Sequence, residues 1–118
     1  MAIPSGSGSE ILTRGYFTVT SSADTKILDG AAANWIYSVL SITVCETAGA
    51  AETFDLFLDP SAAGTDYEIL SDQALPANST FVFNDRLVLH GTDELNFKIP
   101  AGSCNVDVVI NYIAQNWT

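Results

Sequence analysis

His90 is the one histidine in the sequence, and it stands between Leu89 and Gly91. As a general base it would have to lie beside a serine or cysteine nucleophile in an exposed, preorganised pocket. Its neighbours instead place it where a strand runs into a turn, the setting of a surface histidine. Ser7 falls in Gly6-Ser7-Gly8 without the strand, sharp turn and helix that expose a nucleophilic serine. Asp59, Asp66, Glu68 and Asp72 crowd one loop and the strand after it. Paired carboxylates perform glycoside hydrolysis, and carboxylate and carbonyl oxygens together hold calcium. The spacing lacks the alternating oxygen ligands of an EF-hand loop, so a solvated acidic loop is expected first and a calcium site second. Cys45 and Cys104 are too few for a disulfide framework and lack the paired spacing of a zinc site. Both are expected to be reduced, partly buried thiols. Asn78-Ser79-Thr80 and Asn116-Trp117-Thr118 match the glycosylation pattern, which matters only in a secretory pathway. These residues yield no catalytic residue, no cofactor site and no metal site, and the chain is not expected to be an enzyme.

The elements that must position these residues are bounded by size and composition. With 118 residues the chain makes one domain, because two separate cores would leave each half near the lower size limit for folding alone. Hydrophobic residues make up 47% and charged residues 15%, so there is ample apolar surface to bury and too little charge for a disordered chain. Fourteen acids against four bases give a net charge of −10, a field that repels nucleic acid. The apolar residues never run on for the length of a membrane-spanning helix, and no basic start followed by an apolar stretch opens the sequence. The expectation is a protein made in a cytoplasm, with no membrane partner.

Residues 1–12 open with Met-Ala-Ile-Pro-Ser-Gly-Ser-Gly-Ser-Glu, the composition of an extended arm, and residues 13–118 form the folded domain. Apolar residues recur there with period two, which predicts strands over 14–21, 26–29, 35–47, 53–59, 66–70, 79–83, 86–90, 94–99 and 104–114. The short alanine-rich stretches 31–33 and 48–51 read as loops. Turn signals such as Asp29-Gly30, Asp59-Pro60, Asn84-Asp85 and His90-Gly91-Thr92-Asp93 separate the strands. Nine short strands call for two packed sheets. The fold class is therefore all-β: a single-domain antiparallel β-sandwich, wired as a jelly roll or a Greek key, with an extended N-terminal arm. In the third strand alternation assigns Ile36, Ser38, Leu40, Ile42 and Val44 to the core face, and Tyr37, Val39, Ser41, Thr43 and Cys45 to a mixed face. The strands at 53–59 and 94–99 each alternate as if one face were wet. Trp35, Tyr37, Phe57, Phe81, Phe83 and Trp117 exceed what one inward face can hold. Either they mark subunit contacts, with Trp35, Tyr37 and Trp117 as the interface residues, or they fill the ends of the sandwich.

The run Ile36-Tyr37-Ser38-Val39-Leu40-Ser41-Ile42-Thr43-Val44-Cys45 is followed by a small-residue turn and Phe54-Asp55-Leu56-Phe57-Leu58. Further on come Leu75-Pro76-Ala77-Asn78-Ser79-Thr80-Phe81-Val82-Phe83, Asp93-Glu94-Leu95 and a closing strand from Val106 to Tyr112. This order, covering roughly residues 34–114, resembles the small β-sandwich virion structural proteins of tailed bacteriophages, of the capsid decoration or cement type. The resemblance implies a role on the capsid surface, binding the major capsid protein and copies of itself, as a homotrimer. A tail, fibre or receptor-binding component of the virion is the alternative. In the decoration reading the arm residues Ala2, Ile3, Pro4 and Ser5 clasp a neighbour by adding a strand to its sheet edge. The acidic balance suits a surface facing away from packaged DNA.

Overall fold

The computed structural model describes residues 9–30, 32–100 and 104–116. Nine strands appear in chain order: β1 (Ser9–Val19), β2 (Thr25–Asp29), β3 (Ala32–Glu46), β4 (Glu52–Asp59), β5 (Tyr67–Leu75), β6 (Thr80–Phe83), β7 (Leu87–Gly91), β8 (Glu94–Lys98) and β9 (Val106–Asn116). They form two antiparallel sheets packed as a β-sandwich. Sheet A has the order β1-β9-β3-β6, with β7 also pairing β3, and sheet B has the order β2-β8-β4-β5. Strands β6 and β7 share one edge, pairing with residues 42–45 and 32–39 of β3 respectively. The pairs are nested: β1 with β9, β2 with β8, β3 with β6 and β7, and β4 with β5. The chain is thus a doubled-over ribbon rolled into two layers.

The expected strands are all present, with three differences. Strand β1 begins at Ser9, so residues 9–12, grouped with the arm by composition, are paired in register with β9 from Asn116 to Ile113. Ala32 and Ala33 belong to β3 and not to a loop. Strand β5 continues to Leu75 through Ser71-Asp72-Gln73-Ala74, which has no apolar alternation to announce it. Backbone pairing with β4 carries that extension across two register shifts, and the Asp55 Oδ1 accepts the Asp72 N–H at 2.7 Å where the chain turns through a positive φ of 49°.

The core lies between the sheets. Sheet A contributes Val19, Val39, Ile42, Val44, Leu89, Val106, Val108 and Ile110, and sheet B contributes Ile27, Phe54, Leu56, Leu75, Leu95 and Phe97. The alternation read for the third strand holds only for its second half. Val39 pairs with Tyr112 and Ser41 with Asn111, so Leu40 is an extra residue in β3, a bulge that reverses the phase of the strand. Tyr37 and Val39 therefore point inward before it, and Ile42, Val44 and Glu46 after it. Leu40, assigned to the core by strict alternation, is 43% exposed, and Ile36 and Ser38 are half-buried on the outer face. The outer face of sheet B is less wet than expected: Phe57 and its cross-strand partner Asn96 are both buried there.

Gly30 joins β2 to the segment before β3 and donates its N–H to the Asp93 carbonyl at 2.8 Å. A Cβ at this position would collide with the Gly91 carbonyl oxygen and lie 2.7 Å from that of Asp93, both fixed backbone atoms. Gly30→Ala is expected to cost about 3 kcal/mol of stability, checked by urea unfolding. Gly64→Ala is the contrast, because there a Cβ meets open space and only the positive φ of 84° opposes it.

Candidate interaction surface

The residues singled out for chemistry are dispersed or occupied. His90 is exposed at the end of β7, on the outer face of sheet A opposite Ile36. The nearest acid in sequence, Asp93, is buried and holds backbone instead: its Oδ1 accepts the Ser61 N–H at 2.8 Å and its Oδ2 the His90 N–H at 3.1 Å. Asp59 turns to the loop that follows it and accepts the Gly64 N–H at 3.0 Å. Glu68 is exposed, and residual burial together with repulsion from Asp55, Asp66 and Asp72 raises its carboxyl above the ordinary range. Among the described residues no three histidine, cysteine or acidic side chains converge as a metal site. Both cysteines are free and half-buried. Burial pushes the Cys104 thiol up, with Glu52 adding to the shift, and its Sγ lies 3.6 Å from the Val19 carbonyl oxygen.

The residues proposed for subunit contact meet different fates. Ala2, Ile3, Pro4, Ser5 and Trp117 lie outside the described residues. Tyr37 is 7% exposed, because the bulge at Leu40 turns it inward. Its ring stacks on Trp35 at 6.2 Å between centroids and meets Tyr112 edge-on at 5.8 Å. Trp35 is half-buried against the same core. These rings fill one end of the sandwich, and burial, followed by the proximity of Tyr37, raises the Tyr112 phenol above its ordinary value. Phe57 is also buried, and Phe81 and Phe83 pack on the core from β6.

The exposed apolar residues are others, and most share one surface. Leu12 is 72% exposed, Tyr16 74%, Val82 55% and Val88 60%, and with Leu40 all lie on the outer face of sheet A. Strand register arranges this face in rows. One row runs Leu12, Ile113, Ser38, Val88 across β1, β9, β3 and β7. A second runs Tyr16, Val109, Thr43, Val82 across β1, β9, β3 and β6. Between them lie Arg14, Asn111 and Ser41, where the Asn111 amide donates to the Ser41 hydroxyl at 3.0 Å. Asp107 closes the face at one end, accepting the Thr18 hydroxyl at 2.9 Å. Isolated exposed apolar side chains are ordinary, whereas two apolar rows on one sheet face, parted and rimmed by polar residues, make this face the candidate contact surface. Strand β1 carried a signal for it, since Ile11, Phe17 and Val19 alternate with Leu12 and Tyr16. A strand apolar on both faces needs cover on both sides.

The opposite face of the molecule is charged. The Lys26 ammonium lies 3.0 Å from the Glu94 carboxylate, and the hydrogen bond and charge of Glu94 hold its pKa above the ordinary lysine value. Lys98 is 4.0 Å from Asp24 and stands opposite Asp55 across β8 and β4.

No protein-family model matches the chain, and no curated protein does. Solved structures match its shape. A subunit of the disulfide-linked pili of Bacillus endospore appendages superposes with a TM-score of 0.56 at 10% identity, covering 99% of this chain and 96% of that one. The Drosophila NLP core, described for pentamer formation and histone binding, gives 0.51 at 17% identity over 84% of this chain and 96% of that one. VP2 of infectious bursal disease virus, from a subviral particle, gives 0.52 at 10% identity; 94% of this chain is covered but only 37% of VP2. At these identities the likeness is one of fold.

Proposed function

We propose that this chain is a structural protein of a virus particle, a capsid decoration protein that binds the major capsid protein and bridges neighbouring capsomers. The observation that carries the reading is the outer face of sheet A, where two exposed apolar rows, one ending in Leu12 and Val88 and the other in Tyr16 and Val82, lie on a rigid sandwich. Such a face suits contact with other subunits. The nested strand order supports a jelly-roll reading of the sandwich, and the sequence resemblance to phage virion proteins suggests the partner. In this reading catalysis plays no part: each bound copy adds buried area, and many copies stabilise the shell by mass action. The first eight residues lead directly into β1 at the edge of sheet A, and Ala2, Ile3, Pro4 and Ser5 are assigned to clasping a neighbour.

Quantifying the chain against the major capsid protein in purified particles tests the assignment. A copy number close to that of the capsid protein is expected. A copy number that is a small fraction of it moves the protein to the tail or fibres, and absence from particles overturns the virion role. Deleting residues 1–8 is expected to abolish shell binding while the melting temperature stays unchanged. Full occupancy by the truncated chain would remove the arm from the mechanism.

A further inference from the structure

We infer that the outer face of sheet A takes a second copy of this chain, about a two-fold axis running parallel to the strands between β3 and β9. The inference rests on that face being a contact surface, as read above, and not on the virion assignment.

Register determines which residues meet. Across the face the strands lie in the order β1, β9, β3 and then β6 or β7. Rotation about this axis lays β1 of one copy over β6 and β7 of the other, and β9 over β3, as an isologous contact requires. Each residue then faces the opposite end of its own row. Leu12 meets Val88 of the second copy and Tyr16 meets its Val82, while Ile113 covers Ser38 and Val109 covers Thr43. The four most exposed apolar side chains of the face are thereby paired with one another. The polar groups are complementary as well. In the end row Glu10, Gln115, Ile36 and His90 are in register, so the Glu10 carboxylate lies over the imidazole of the second copy. Arg14 falls over the turn between β6 and β7, which carries Asp85 beside Arg86.

Charge distribution selects this face for pairing like with like. The chain carries fourteen acidic residues, and two copies meeting through the outer face of sheet B would bring together Asp55, Asp66, Glu68 and Asp72, while Lys26 and Lys98 on that face are already engaged with Glu94 and Asp24. The outer face of sheet A presents Glu10 and Asp107 against Arg14. Four strands about 4.8 Å apart, each contributing about nine residues about 3.4 Å apart, give a footprint of roughly 590 Å² in projection. This lies at the lower end of the range that specific interfaces bury on each partner, about 600 Å². A three-fold ring, the expectation attached to the sequence resemblance, needs two different patches that complement each other, whereas this face complements itself.

Sedimentation of the full chain over a concentration series is expected to give twice the 12.6 kDa chain mass. Leu12→Asp and Tyr16→Asp are each expected to raise the dissociation constant by at least about 30-fold with the melting transition retained. Tyr67→Asp, at an exposed apolar residue of β5 in the other sheet, is expected to leave the dimer intact. A second measurement reads the geometry without introducing charge. In a Cys45→Ser, Cys104→Ala background, a mixture of Leu12→Cys and Val88→Cys chains is expected to cross-link under mild oxidation, and neither chain alone. A single-chain mass throughout, a three-chain mass, a dimer indifferent to both aspartates, or cross-linking of either chain alone overturns the pairing. If the aspartate variants unfold, the cross-linking result decides. A monomer abundant in particles would overturn the pairing and leave the virion role, and a dimer absent from particles would do the reverse.

Discussion

Phe97→Ala is expected to lower the unfolding free energy by about 3–5 kcal/mol, the range for removing a fully buried phenylalanine ring. Phe97 has no exposed surface and lies on β8, paired with Thr25 of β2 on one side and Leu56 of β4 on the other. Its ring stacks on Phe54 with centroids 5.2 Å apart, and Phe54 in turn meets Phe81 of the opposite sheet edge-on at 5.4 Å. The substitution therefore leaves a cavity in sheet B beside Phe54, the ring that meets Phe81 across the layers. The stack contributes about 1 kcal/mol beyond its buried area. Single domains are stable by about 5–15 kcal/mol, so this loss is a large share of the total. Phe97→Leu keeps most of the volume and is expected to cost no more than about 1.5 kcal/mol. Urea unfolding with an unchanged denaturant slope would measure both. A loss for Phe97→Leu as large as that for Phe97→Ala would show that the restored volume contributes nothing and that the ring itself carries the effect.

The second large effect is expected at Glu46, which is 1% exposed at the end of β3. Its carboxylate gathers two turns. Oε1 accepts the Ala48 N–H at 2.8 Å and the Ala50 N–H at 3.4 Å, while Oε2 accepts the Gly49 N–H at 3.0 Å and the Asn78 N–H at 2.8 Å. The amide of Asn78 does most to hold the carboxyl below the ordinary carboxylate range; burial opposes it, and the amides of Ala50, Ala48 and Gly49 add to the lowering. Glu46→Ala strands four backbone donors, and Glu46→Gln replaces one acceptor by a donor that faces other donors. Both variants are expected to melt well below the native protein at neutral pH, and neither exposed neighbour, Thr47→Ala or Ala51→Ser, is expected to do so.

The pH dependence follows from the direction of the shift. A carboxyl whose folded pKa is depressed contributes stability that is complete above its unfolded value, near 4.5. That contribution is lost as pH falls from there through the folded value. The difference in melting temperature between native protein and Glu46→Gln is therefore expected to hold constant from pH 7 to about pH 5 and to shrink on further acidification. A difference that stays constant down to pH 3 would mean that the charge on Glu46 is not what holds the turns together.

Much of this fold was legible because period-two alternation is a strong signal wherever one face of a strand is buried. The strands at 26–29, 94–99 and 104–114 differ from the observed β2, β8 and β9 by no more than two residues at either end. The signal failed where the backbone departs from strict pairing. A single extra residue at Leu40 reversed the faces of Tyr37 and Val39, and nothing in Val39-Leu40-Ser41 distinguishes a bulge from regular strand. The second half of β5 was missed because main-chain hydrogen bonds and the Asp55 carboxylate hold Ser71 to Ala74, and Leu75 alone anchors it in the core. The large aromatics left two readings open, subunit contact or filling of the sandwich ends, and Tyr37 and Trp35 pack at one end of the core. The candidate surface is built mainly from Leu12, Val82 and Val88, which matter only because register brings them together with Tyr16. Glu46 gave no warning either, since one of its four amides comes from Asn78, far along the chain.

The place of β9 bears on how the protein is made. This strand is the ninth in sequence but stands between β1 and β3 in space, with Ser9 paired to Asn116. On the ribosome β1 therefore emerges before the seven strands that separate it from β9, and waits for that partner until all of them have been synthesised. Sheet A cannot close by local steps, and such non-local pairing sets a slow folding rate, on the order of milliseconds to seconds. During that interval the flanks of β1 and β3 that will receive β9 are unpaired strand edges, and β1 is apolar on both sides. A nascent chain stalled short of residue 106 would present those edges to its neighbours on the same polysome, a hazard that ends only when β9 arrives.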